Sequence, residues 1–250
     1  VYTIGFEKLN ESKTSVVNKF LNDHQIPSDM VKLVETGKLT LINSGITVNP
    51  ITAGAEIWVK DATWTPPPPV CTTGFIVKIS NGTVRGLTAG HCQASSHWND
   101  GTQPYYQPYN GRYIGNVIAG TNKHSHSDTL LFKTSETGGF GKIYRYGSSQ
   151  LTITGKGYSQ FVGDSVCTSG TGSASTRCGS VTAVGITSPS GLQGQNKASF
   201  TSVGGDSGSP VWHATSGVIA YGTAFEIDSS GTYYSPIGGI EFDQGTLQFN

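Results

Sequence analysis

From Cys71 onward the chain alternates short apolar runs with glycine-, asparagine- and serine-rich breaks. Phe75-Ile76-Val77-Lys78-Ile79 predicts a strand, Ser80-Asn81-Gly82-Thr83 a hairpin turn, and Val84-Arg85-Gly86-Leu87-Thr88 the returning strand. The same rhythm continues through Tyr113-Ile114-Gly115, Leu130-Leu131-Phe132, Leu151-Thr152-Ile153, Ser180-Val181-Thr182-Ala183-Val184, Val211-Trp212 and Val218-Ile219-Ala220-Tyr221. Many short strands with tight turns predict a mainly β domain of antiparallel barrel type.

The first part of the chain reads differently. Val16, Val17, Phe20 and Leu21 recur at helical spacing and predict a helix within residues 7–24. Ser28-Asp29 predicts the cap of a second short helix ending near Gly37. Lys38-Leu39-Thr40-Leu41-Ile42 and Glu56-Ile57-Trp58-Val59 alternate like strands. The run Trp64-Thr65-Pro66-Pro67-Pro68-Pro69 follows, and successive prolines cannot continue a ladder and favour an extended spacer. The expected organisation is a partly helical α+β extension over residues 1–65 and a β domain over residues 66–250.

Composition narrows the function. Only 13% of the 250 residues are charged while 34 are glycine, which suits strands and turns rather than a helical bundle. Lys+Arg and Asp+Glu are equal at 16 each, so nothing calls for nucleic acid or an anionic membrane as partner. No apolar run is long enough to span a bilayer. No signal peptide is visible, so a secreted form would already have lost it. The four cysteines fall in two local pairs, Cys71 with Cys92 and Cys167 with Cys178, which predicts two disulfides and an oxidising, extracellular setting. No CxxC spacing occurs, so a structural zinc site is not expected, and no metal or cofactor is called for.

One stretch carries candidate chemistry: Gly204-Gly205-Asp206-Ser207-Gly208-Ser209-Pro210, a glycine-rich turn with a serine at its tip. A hydroxyl is a poor nucleophile until a base takes its proton. Upstream lie a histidine in Thr88-Ala89-Gly90-His91-Cys92 and a carboxylate in Ser127-Asp128-Thr129-Leu130-Leu131. Asp100, in an Asn-Asp-Gly turn, is the competing carboxylate. An esterase of the α/β-hydrolase type needs the order serine, acid, histidine, and here only His213 follows Ser207.

In the order histidine, aspartate, serine these motifs resemble the chymotrypsin-like serine peptidases, above all the secreted bacterial branch of streptogrisins and α-lytic protease. The resemblance covers residues 69–250 and implies two antiparallel six-stranded barrels. It implies a nucleophile at Ser207, a general base at His91 and an orienting carboxylate at Asp128. The oxyanion hole falls to the backbone N–H groups of Gly205 and Ser207. Thr201 is expected at the base of the primary pocket, with Thr223, Ala224 and Phe225 along its wall, and Thr223's hydroxyl is expected to help hold the catalytic carboxylate. Phe225 stands where a glycine is usual, so its ring narrows or caps the pocket, and small or medium apolar side chains are expected there. Asp206 pairs with a buried cation in this family, and Arg177 is the candidate partner. His124-Ser125-His126 reads as a pair of exposed loop histidines beside Asp128. The activity implied is secreted, monomeric peptide-bond hydrolysis of protein or peptide substrates through an acyl-enzyme. The alternative is an impaired relative that binds a partner protein, or a virulence-type factor directed at one host protein. Residues 1–65 are then an accessory segment or the remnant of a pro-region.

Overall fold

The computed structural model describes residues 2–6, 11–23, 31–35, 48–59, 70–94, 97, 100–107, 111–122, 124–146, 149–214 and 217–250. Its contacts divide the chain into two units, Val1–Leu41 and Ile42–Asn250. In the first unit, strands β1 (Tyr2–Phe6) and β2 (Val31–Glu35) pair in parallel, and helix α1 (Glu11–Asp23) provides the crossover. Parallel pairing needs such a long connection, whereas a hairpin turn suffices for antiparallel strands. Helix α1 lies where the spacing predicts it. The second helix does not form: the segment after Ser28-Asp29 is β2, where an alternating Val-Lys-Leu-Val-Glu run finds a partner in β1. The strand expected at Lys38-Leu39-Thr40-Leu41-Ile42 and the proline run lie outside the described residues.

The second unit begins earlier than the proline run suggests. Strand β3 (Glu56–Val59) is buried along its whole length and pairs with β4 (Val70–Thr72) and β7 (Pro104–Gln107). Burying Ile57 and Val59 without leaving backbone groups unpaired requires those ladders. The division therefore falls at residues 41 and 42 rather than at 65 and 66.

The C-terminal half is a closed ring of six strands. These are β12 (Ser165–Gly170), β13 (Ser175–Ile186), β14 (Gln195–Ala198), β15 (Pro210–Ala214), β16 (Val218–Asp228) and β17 (Gly231–Pro236). They run in the order β16-β15-β12-β13-β14-β17, and pairing of β17 with β16 closes the ring. Strands β11 (Leu151–Lys156) and β10 (Lys142–Ile143) extend it from β16. In the other half, β8 (Arg112–Asn116) completes a four-stranded sheet, β4-β3-β7-β8. Strands β5 (Phe75–Lys78), β6 (Val84–Thr88) and β9 (Leu130–Lys133) form a three-stranded one. A bridge between Val117 and Phe132 and the Thr88 hydroxyl, which donates to Thr72 O at 2.8 Å, link them. Among the described residues these seven strands remain two sheets, so a second barrel closed by strand ladders, as the resemblance implies, is not seen.

Period-two alternation explains the packing, because successive strand residues face opposite sides. In β5, Ile76 faces the core with Ile57, Tyr105 and Phe132, while Phe75 and Val77 face a second core with Leu87, Leu131 and Trp212. In β15, Trp212 joins that second core and Val211 turns into the closed ring with Val166, Phe200 and Tyr234. Helix α2 (Ile237–Gln244) seats Ile237 and Ile240 against the second core.

Candidate active site

Strand β4 ties two of the candidate loops together. The Cys71–Cys92 disulfide joins it to the turn Gly90–Cys92 that carries His91, directly after β6. Closing a loop of 21 residues stabilises the fold by about 3 kcal/mol. The next residue, Thr72, donates its N–H to Ser207 O at 2.8 Å and its hydroxyl to Gly205 O at 2.8 Å. Cys92 Sγ lies 3.8 Å from Ser207 O. The histidine turn and the serine turn are thus anchored to neighbouring residues of one strand. The second disulfide, Cys167–Cys178, closes the β12–β13 hairpin.

The serine turn needs its glycines. Gly205 and Gly208 have φ of +97° and +89°, a region that side chains rarely enter. A Cβ on Gly208 would lie 2.2 Å from both Thr72 O and Thr88 Oγ1. Within the turn Asp206 N–H bonds Val203 O, Gly208 N–H bonds Ala224 O and Ser209 N–H bonds Asp206 O. Among the described residues the N–H groups of Gly205 and Ser207 meet no acceptor. The N–H of Gly204 is likewise unbonded among the described residues, so the donors of Gly205 and Ser207 are two of three left over in the turn.

Asp128 precedes β9 and is 4% exposed. Its Oδ2 accepts from His91 Nδ1 at 2.5 Å, and its Oδ1 accepts the His91 N–H at 3.1 Å. His124 Nδ1 also lies 3.1 Å from Oδ1. The loop is held from α2, where Asp243 accepts the N–H groups of His126 and Ser127 and the Ser127 hydroxyl. Burial works to raise the Asp128 carboxyl, but the contacts from His124 and His91 outweigh it and hold it down at about 2. For His91, burial disfavours the imidazolium; the Asp128 hydrogen bond and charge, joined by the charge of Glu226, more than offset this and raise its pKa. With Nδ1–H committed to the carboxylate, Nε2 is the basic nitrogen.

His91, His124 and Asp128 open on a cavity of about 660 Å³, walled opposite by Leu192, Phe225 and Glu226. Ser207 lines a smaller one of about 140 Å³ with Ser202, Val203, Ala224 and Thr232. Phe225 and Glu226 border both. The Ser207 hydroxyl makes no hydrogen bond among the described residues.

Several expected positions differ from what the fold provides. Thr201 is exposed, its carbonyl accepts from Arg177, and it does not line the smaller cavity, which Ser202 and Thr232 do. The Thr223 hydroxyl is buried without a partner and does not reach Asp128. The hydroxyl beside Asp128 is that of Ser235, which accepts the Asp128 N–H at 3.0 Å. Among the described residues Asp206 has no ion pair; Ser173 and Val203 donate backbone N–H groups to its two oxygens at 2.8 and 3.0 Å. Burial raises its pKa despite those bonds and the more distant charge of Arg177. Asp100 pairs with His97 and Thr102 in an exposed turn, and the carboxylate on His91 is that of Asp128. Ala224 and Phe225 do line the smaller cavity. Glu226, Ser235 and the contact of His124 carry no sequence signature, because each depends on where a distant loop runs.

No family profile matches the sequence. Serine protease 2 of Streptomyces fradiae is 33% identical over 101 residues, 40% of this chain and 53% of that protein. The chain thus spans about half the length of the curated relative it matches. Thermobifida fusca protease A superposes with a TM-score of 0.61 at 22% identity, over 80% of this chain and 99% of that one. Alpha-lytic protease homolog N4 superposes with a TM-score of 0.58 at 25% identity, over 80% and 99%.

Proposed function

We propose that this chain, which shares the fold of the bacterial chymotrypsin-like serine proteases and resembles them in sequence, is a secreted serine endopeptidase. The observation that carries this reading is the 2.5 Å contact of His91 Nδ1 with the buried carboxylate of Asp128, which leaves Nε2 to act as base. Ser207 attacks the scissile carbonyl as His91 takes its proton. The acyl-enzyme forms, His91 returns the proton to the leaving amine, and water then repeats the cycle. The unspent N–H groups of Gly205 and Ser207 receive the developing oxyanion, a role typically worth about 3 kcal/mol or more per donor. Contacts between nucleophile and base are often loose without substrate, so the hydroxyl meets Nε2 in the complex. Two disulfides suit an oxidising, extracellular compartment.

A fluorophosphonate probe tests the activity directly. It should add covalently to the native chain, and peptide mapping should find the adduct on Ser207. Failure of the probe to react, in a chain that melts cooperatively, would remove the peptidase reading and leave a binding protein of the same fold.

Small or medium apolar side chains are the preferred residues ahead of the cut. The cavity beside Ser207, at about 140 Å³, is close to the size of an apolar cavity that holds benzene, about 150 Å³. A fluorogenic peptide panel should show higher kcat/KM for Ala, Val or Leu at that position than for Arg or Glu. The reverse order would assign the pocket wrongly.

A further inference from the structure

We propose that His124 is the positioning residue that fixes the Asp128 carboxylate for His91, a second imidazole in place of the hydroxyl donor that the family resemblance implies at Thr223. The inference rests on the peptidase reading above for its kinetic consequence, but not for its structural one.

A carboxylate that must hold one imidazole in register has two oxygens to satisfy. Oδ2 faces His91 Nδ1, and Oδ1 has the His91 N–H and His124 Nδ1, each at 3.1 Å. Neither nearby hydroxyl donates to a carboxylate oxygen. Ser235 Oγ receives the backbone N–H of Asp128, and Thr223 Oγ1 is buried without a partner. The His124 ring, 40% exposed, also runs close beside Gly90. A Cβ built on Gly90 would meet Asn122 Oδ1 at 2.6 Å, Asp128 Oδ1 at 2.7 Å and His124 Cε1 at 3.1 Å, so the three side chains converge on the backbone beside His91. Asn122 is in turn fixed by donating to Gly90 O and Gln93 Oε1. Since Nδ1 faces an acceptor, His124 carries its proton on Nδ1. The titratable groups lining the same cavity are His91, Asp128 and Glu226.

The geometry makes the test selective. The Nδ2 of asparagine occupies the position of histidine Nδ1, so His124→Asn keeps a donor where His124→Leu removes it. In the full chain, His124→Leu should lower kcat on a peptide substrate about tenfold with KM little changed, and His124→Asn should recover most of the loss. The second measurement is the Asp128 carboxyl titration followed by carbon NMR: it should move upward in His124→Leu and return in His124→Asn. Equal effects of the two substitutions on both readouts, or an Asp128 titration indifferent to either, would overturn the proposal. A chain that shows the NMR shift but neither hydrolyses peptides nor reacts with the probe would retire the peptidase reading alone.

Discussion

Ser207→Ala should lower kcat by about 10⁶-fold, as much as removing the whole triad, because nucleophile and base act as one unit. The substitution is unusually clean in this chain. The Ser207 hydroxyl makes no hydrogen bond among the described residues, while the backbone carbonyl that anchors the turn to Thr72 is untouched. Stability should therefore change by less than about 0.5 kcal/mol. The check pairs a chromogenic peptide assay with a thermal melt, and expects lost turnover at an unchanged melting temperature. Combining Ser207→Ala with Asp128→Asn should add almost nothing further, since the acid has no role once the hydroxyl is gone. Turnover surviving in Ser207→Ala would place the chemistry on another group.

The sequence and the fold agree where local pattern decides structure. Phe75-Ile76-Val77 and Leu130-Leu131-Phe132 alternate, and both strands are buried on two faces as short apolar runs require. The serine turn is legible because its glycines must accept positive φ and close approach. What local pattern misses is set by partners far along the chain. The cap at Ser28-Asp29 predicts a helix, but pairing with residues 2–6 makes residues 31–35 a strand. The proline run predicts a boundary, but Trp58 pairs with Val70 and Tyr106 and draws residues 56–59 into the β unit. Thr201 and Ser202 differ by one position, and only the path of the loop decides which lines the cavity. The approach of His124 to Asp128 is likewise set by tertiary placement, not by any motif.

Asp128→Asn should lower kcat by about 10⁴-fold at neutral pH through the tautomer it imposes. Oδ1 accepts the His91 backbone N–H and lies 3.1 Å from His124 Nδ1, so an asparagine side chain keeps its carbonyl oxygen there. Its amide then faces His91 Nδ1, which becomes an acceptor and moves the ring proton to Nε2. A protonated Nε2 cannot take a proton from Ser207. The pH dependence follows with a definite sign. His91 must be neutral to act as base, and Asp128 holds its folded pKa above the ordinary value of 6.5. Wild-type activity should thus fall as pH drops through a value above 6.5, and the acid limb of the variant should move downward because burial alone disfavours the imidazolium. Stability carries two opposed contributions. The raised His91 pKa adds stability that is complete below 6.5 and fades as pH rises through the folded value. The Asp128 carboxyl, depressed from 3.8 to about 2, adds stability that is complete above 3.8 and lost as pH falls through about 2. At pH 7 the variant forfeits that second contribution, on the order of 2 kcal/mol, so its melting temperature should fall. The pH–rate profile and the melt together decide: an acid limb unmoved by the substitution would mean that Asp128 does not set the basicity of His91.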